Sequence, residues 1–114
     1  MPVLKIQTNT ALNPTNKSEL LSRASSSVAS MLGKPERYVM VMLEHNSDMI
    51  FAGNNTPLAY LELKSIGLPN EKTSEFSDAL SSLISEHLNI PADRIYIEFS
   101  AAERQMWGWN AGTF

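Results

Sequence analysis

Proline at position 2, directly behind the initiator methionine in "MPVLKIQTN", is the residue with the sharpest chemical implication in this sequence. Pro2 has no amide hydrogen to give a sheet, so it is tolerated only at a strand's first position or on an edge. That structural reading is the commonplace one. A small second residue also lets methionine aminopeptidase remove Met1, after which Pro2 carries a free secondary amine. Kept neutral, such an amine is a general base, and burial or a nearby cation favours the neutral form. With Met1 attached, Pro2 is an internal tertiary amide and has no such basicity.

Other reactive side chains are sparse. Cysteine is absent, which excludes disulfides, thiol catalysis and cysteine-based zinc sites. His45 and His87 are far apart and lack metal-ligand spacing. Lys34, in "LGKP", follows a helical pattern, where a cation at a helix C-terminus is worth about 0.3–1 kcal/mol. The tail "MWGWNAGTF" concentrates aromatic residues, either as a ribbon against a neighbour or as walls of a pocket that takes a ring.

The elements that must position these residues repeat. Leu20, Ala24, Val28 and Leu32 lie four apart on one helical face, and Phe76, Leu80, Ile84 and Leu88 echo them. Ser18-Glu19 and Ser25-Ser26 recur as Ser74-Glu75 and Ser81-Ser82. Both helices stop alike, at Gly33 and Asn89, with Pro35 and Pro91 two residues on. Asn13-Pro14 offers a cap and a first-turn proline. Strand-like runs flank each helix: "PVLKIQT" and "RYVMVMLE" (37–44), then "LAYLELKSI" (58–66) and "RIYIEFS" (94–100).

The chain therefore reads β-α-β twice, with a parallel strand pair in each unit and a polar loop, "HNSDMIFAGNNTP", between them. The expected fold is an α+β two-layer sandwich, a four-stranded mixed sheet with two helices on one face, in a single domain over 1–114. On strand 37–44, Val39, Val41 and Leu43 alternate with Met40, Met42 and Glu44, so both faces carry apolar residues. The chain is too short to cover the second face, which predicts an oligomer.

The charge balance, 9 Lys+Arg against 12 Asp+Glu, offers no basic face for nucleic acid. No signal peptide and no membrane-spanning stretch is visible, so the default address is cytoplasmic.

Met1-Pro2, "LGKP" (32–35), "SIG" (65–67), "DRIYI" (93–97) and "GWNAGTF" (108–114) resemble the macrophage migration inhibitory factor family, the branch of the tautomerase superfamily that includes D-dopachrome tautomerase. The likeness runs from one end of the chain to the other. It implies a homotrimer whose three sheets surround a channel, with active sites at subunit interfaces. It also implies a keto–enol tautomerase for phenylpyruvate-like aromatic 2-oxo acids, isomerising dopachrome derivatives as well, without cofactor or metal. Pro2 would be the catalytic base and Lys34 the ligand of the substrate carboxylate. Ile66 matches a position whose backbone N–H contacts substrate, and Tyr96 the tyrosine that enters from a neighbouring subunit. Tyr38, Trp109 and Phe114 match aromatic positions at the pocket rim. Taken singly, each aromatic is more commonly explained by core or interface packing.

Some residues depart from the family pattern. Glu98 stands where mammalian members carry asparagine. A carboxylate beside Pro2 would raise the amine's pKa, at about 1.4 kcal/mol per unit. Glu98 could instead point away, pair with Arg104, or be protonated within the site. Lys64 replaces a histidine typical of mammalian members, and Leu58 and Leu61 occupy the positions of their Cys-x-x-Cys thiols. Superfamily members that dehalogenate or hydrate add arginines, for which the sequence shows no evident position. The alternative reading is a signalling or binding protein that keeps the pocket as a relic.

Overall fold

The computed structural model describes all residues, 1–114. Strand β1 (Val3–Thr8) leads through helix α1 (Pro14–Leu32) to β2 (Met40–His45). Strand β3 (Ala59–Ile66) leads through α2 (Thr73–Leu88) to β4 (Ile95–Ala102), and a ribbon of β5 (Gly108–Trp109) and β6 (Gly112–Thr113) ends the chain. The long strands lie in the order β2-β1-β3-β4. Pairing is parallel within each β-α-β unit and antiparallel where β1 meets β3. This is the two-layer sandwich that the repeat predicts. No helix is long and apolar enough to cross a membrane.

The helix ends follow from local chemistry. The Asn13 side chain accepts a hydrogen bond from the Asn16 amide at 2.8 Å, and Pro14 takes the first turn, where an amide would go unused. Gly33 (φ 61°) and Asn89 (φ 55°) close the two helices in the left-handed region. The apolar stripes predicted for α1 and α2 lie against Leu4, Ile6, Leu61 and Leu63 of the central strands in one core.

Strand β2 begins later than the apolar run beginning at Arg37 suggests. After Pro35, residues Glu36–Tyr38 form a 3-10 turn closed by the Tyr38 amide on Pro35 O and the Val39 amide on Glu36 O, both at 3.0 Å. The turn lifts Tyr38 off the sheet edge.

Away from the helices, the strand registers set three rows across the sheet: Met40–Val3–Lys64–Ser100, Met42–Lys5–Glu62–Glu98 and Glu44–Gln7–Tyr60–Tyr96. As expected for β2, Met40 and Met42 are exposed there, at 58% and 38%. The middle of this face is polar and cross-linked. The Tyr60 hydroxyl bonds Glu98 at 2.7 Å and Glu62 at 3.1 Å, and Lys64 pairs with Glu62 at 3.5 Å. These bonds, led by the one to Glu98, push the Tyr60 pKa well above that of a free phenol. The Tyr60 bond, with help from Lys64, draws Glu62 below the usual carboxylate range.

Two stability predictions follow from this arrangement. Leu61→Ala opens a cavity in the core and should cost about 2–5 kcal/mol in urea unfolding; a loss under about 1 kcal/mol would contradict the central place of Leu61. The Tyr60 network gives a pH signature. Its tyrosine contribution is full below pH 10.0 and fades as pH rises toward the raised folded value. Its Glu62 contribution is full above pH 4.5 and fades as pH falls. The stability difference between wild type and Tyr60→Phe should therefore be flat between these limits and shrink beyond both.

Candidate active site

Pro2 is fully buried at the head of an inner strand. Its carbonyl accepts the Met40 amide at 3.0 Å, and Val3 is paired on both sides, with Met40 and with Lys64. A strand's first position is where the missing amide of proline costs no ladder bond. The backbone alone thus fixes the Pro2 nitrogen.

Pro2 lines a cleft of about 230 Å³ together with Arg37, Tyr38, Trp107, Trp109 and Phe114. Tyr38 meets the ring edges of both Trp109 (5.4 Å, 87°) and Phe114 (5.5 Å, 86°), which stack on one another at 5.2 Å and 16°. Three aromatic rings thus form a box whose geometry suits a flat apolar group. The β5–β6 ribbon delivers two of them. Asn110 and Ala111 turn it at φ 51° and 62°, the left-handed pair that a two-residue hairpin needs. The Phe114 amide returns to Trp107 O at 3.2 Å, and Arg104 Nε–H bonds Phe114 O at 3.2 Å.

Of the two nearby cations, Arg37 lines the cleft, whereas Lys34 is outside its lining and acts on the charge of the Met1 amine. Lys34 leaves α1 through the Gly33 cap, its amide bonded to Ala29 O at 3.0 Å. Burial, with the charge of Lys34 second, holds the terminal amine below its ordinary pKa of 8.0. Arg37 carries its guanidinium 4.7 Å from the centre of the Tyr38 ring, a cation–π contact at the cleft wall. The sequence does not mark Arg37 as a cleft residue. Its signal was slight, a charged residue directly before Tyr38 in "PERY", and the 3-10 turn that brings it to the cleft is not written in periodicity. Trp107, inside the quoted tail but not singled out, also lines the cleft.

The remaining predicted residues divide. Ile66 ends β3 and is 8% exposed. Extending the β1–β3 register past Val3–Lys64 sets it level with Met1 and outside the cleft lining. Tyr96 and Glu98 lie on the helix-free face of β4, separated from β1 by the whole of β3, and the single chain does not bring them to Pro2. Glu98 is held by Tyr60 and not by Arg104, which is committed to Phe114 O; the pairing weighed for Glu98 is thereby corrected. No three His, Asp or Glu side chains converge where a metal ion could be held.

The family model described as Macrophage migration inhibitory factor (MIF) matches residues 1–114. A macrophage migration inhibitory factor homolog of Brugia malayi is 38% identical over 115 residues, 100% of this chain and 99% of the relative. The mouse macrophage migration inhibitory factor is 32% identical over the same share of each. Among solved structures, a macrophage migration inhibitory factor homologue from Prochlorococcus marinus superposes with a TM-score of 0.91 at 43% identity, covering 98% of both chains. That of Trichinella spiralis gives 0.90 at 32%, over 98% of this chain and 99% of its own. With its fold and its whole length matched in this way, the chain belongs to the macrophage migration inhibitory factor family.

Proposed function

We propose that the protein is a cofactor-independent keto–enol tautomerase for phenylpyruvate or a similar aromatic 2-oxo acid, with the Pro2 amine as general base once Met1 is removed. The observation that carries this reading is a buried proline directly behind Met1, lining an aromatic cleft together with Arg37 and close to an amine on which Lys34 acts. The neutral amine takes a proton from the carbon next to the substrate carbonyl, and the ammonium so formed returns it elsewhere on the enol. Lys34 and Arg37 hold the carboxylate, while Tyr38, Trp109 and Phe114 take the ring. In this reading the influences that hold the Met1 amine low, burial first and Lys34 second, act on the same strand head after Met1 leaves and favour the neutral Pro2 amine.

The active assembly in this reading is a homotrimer. Met40, Met42 and Tyr96 stand exposed on the helix-free face, and second copies cover them. Tyr96 of one copy then reaches the Pro2 cleft of another, which a single chain cannot arrange. The Tyr60 hydroxyl already occupies an oxygen of Glu98, which limits the pull of that carboxylate on the proline ammonium.

The test is an intact-mass spectrum paired with a phenylpyruvate enol–keto assay on one sample. Met1-free protein should turn over substrate, and Pro2→Ala should lower kcat/KM about 100-fold or more, the usual scale of general-base catalysis. Met1-free protein with no turnover above buffer would overturn the reading and leave a binding protein. The pH profile supplies a second prediction. The acid limb of kcat/KM should lie below the ordinary value for an N-terminal amine, because base is lost only as pH falls through a depressed pKa. Removing the neighbouring charge with Lys34→Gln should move that limb to higher pH and raise KM. A limb that stays in place would show that Lys34 does not act on the amine.

A further inference from the structure

The loop between β2 and β3 is organised around one guanidinium. Within it, Phe51 and Asn54 exchange backbone hydrogen bonds of 2.9 and 3.2 Å across a tight turn, with Ala52 and Gly53 at φ 53° and 79°. Arg94, in the turn before β4, donates from Nη1 to Phe51 O at 3.1 Å and from Nη2 to Asn54 O at 3.3 Å and Thr56 O at 3.1 Å. Its Nε donates to Pro57 O at 3.0 Å, and its Cζ lies 5.2 Å from the centre of the Phe51 ring. The planar fork of an arginine thus spends itself on carbonyls of a single loop. No aspartate or glutamate pairs with it.

The loop so held presses Phe51 against Tyr96, ring centres 4.6 Å apart at 55°. Tyr96 is 66% exposed on an edge strand, and Phe51 is the aromatic wall that limits its ring on one side. Both belong to an apolar groove of about 360 Å³ that also takes in Ile50 and Tyr60.

We propose that Arg94 is a positioning residue for Tyr96 and acts through Phe51: by fixing the loop it sets the direction in which the Tyr96 hydroxyl leaves the sheet. The consequence for catalysis rests on the reading above, in which Tyr96 of one copy enters the Pro2 cleft of another. Lysine at this position would keep the charge and the cation–π contact. Its donors radiate from one nitrogen and do not span carbonyls spread around a planar fork.

The experiment compares Arg94→Lys, Phe51→Leu, Tyr96→Ala and the Arg94→Lys/Tyr96→Ala pair in Met1-free protein, by phenylpyruvate kinetics and by fluorine NMR of 3-fluorotyrosine-labelled chains. The labelled chain has three tyrosines, and Tyr96→Phe assigns the resonance of interest. Arg94→Lys should raise KM about tenfold with kcat within about twofold, and should add nothing in the Tyr96→Ala background. The Tyr96 resonance should shift in both Arg94→Lys and Phe51→Leu while that of Tyr38 stays. If Arg94→Lys fails to fold, Phe51→Leu, which leaves the Arg94 hydrogen bonds in place, carries the test. An unmoved Tyr96 resonance, or a KM loss undiminished without Tyr96, would overturn the proposal. Wild-type protein without turnover would sink the tautomerase reading alone, and the fluorine resonance would then decide the role of Arg94.

Discussion

Everything at the cleft depends on β1 being an inner strand. A chain terminus ordinarily lies at the surface and frays. Here the first strand is flanked by β2 and β3, and pairing on both sides begins at Val3. Proline suits the position just before that point, since its carbonyl can still accept the Met40 amide while its missing hydrogen leaves no donor unsatisfied. The main chain thereby holds Pro2 through its carbonyl, with no side chain needed. The amine of Met1, just before this point, is partly buried, and that burial, with the charge of Lys34 second, lowers its pKa.

The same sheet explains why the other site residues stand apart. Two helices cover one face of four strands and no more. On the open face, Tyr60, Glu62, Glu98 and Lys64 are joined by hydrogen bonds and an ion pair, whereas Met40, Met42 and Tyr96 on the two edge strands are exposed. Polar satisfaction at the centre with apolar exposure at the margins is the pattern of a surface that is finished by packing along its edges. Tyr96 lies on edge strand β4 and Pro2 at the head of inner strand β1, with β3 between them, so a single chain does not bring the two together.

Much of this was legible in the sequence, because each helix carries its own start, stripe and stop. Asn13-Pro14, the four-residue spacing and the left-handed Gly33 and Asn89 are local signals, and local signals survive without knowledge of the fold. The duplicated pattern then fixed the pairing within each unit. Less legible were features that depend on three-dimensional return of the chain. The late start of β2 comes from a 3-10 turn that competes with an apolar alternation of equal strength. Arg37 reaches the cleft only because of that turn. Glu98 was read against Pro2 and Arg104, but its partner proved to be Tyr60, across a parallel strand pair whose register no sequence periodicity encodes. The clamp of Arg94 on the 46–57 loop was equally hidden, since its partners are backbone carbonyls and carry no residue-type signature.

The charge arrangement of the cleft says what it prefers to hold. Arg37 lines the cleft with Met1, Lys34 acts on the Met1 amine from outside the lining, and no aspartate or glutamate lines the cleft. Three cations in one partly buried place repel, and the repulsion has two remedies: the group of lowest intrinsic pKa gives up its proton, or an anion enters. The first remedy falls on the amine, because lysine and arginine hold their protons far more tightly. The second selects a carboxylate. The aromatic box of Tyr38, Trp109 and Phe114 adds a demand for a flat apolar group on the same ligand. A molecule that meets both demands carries an acid and a flat ring on one small frame.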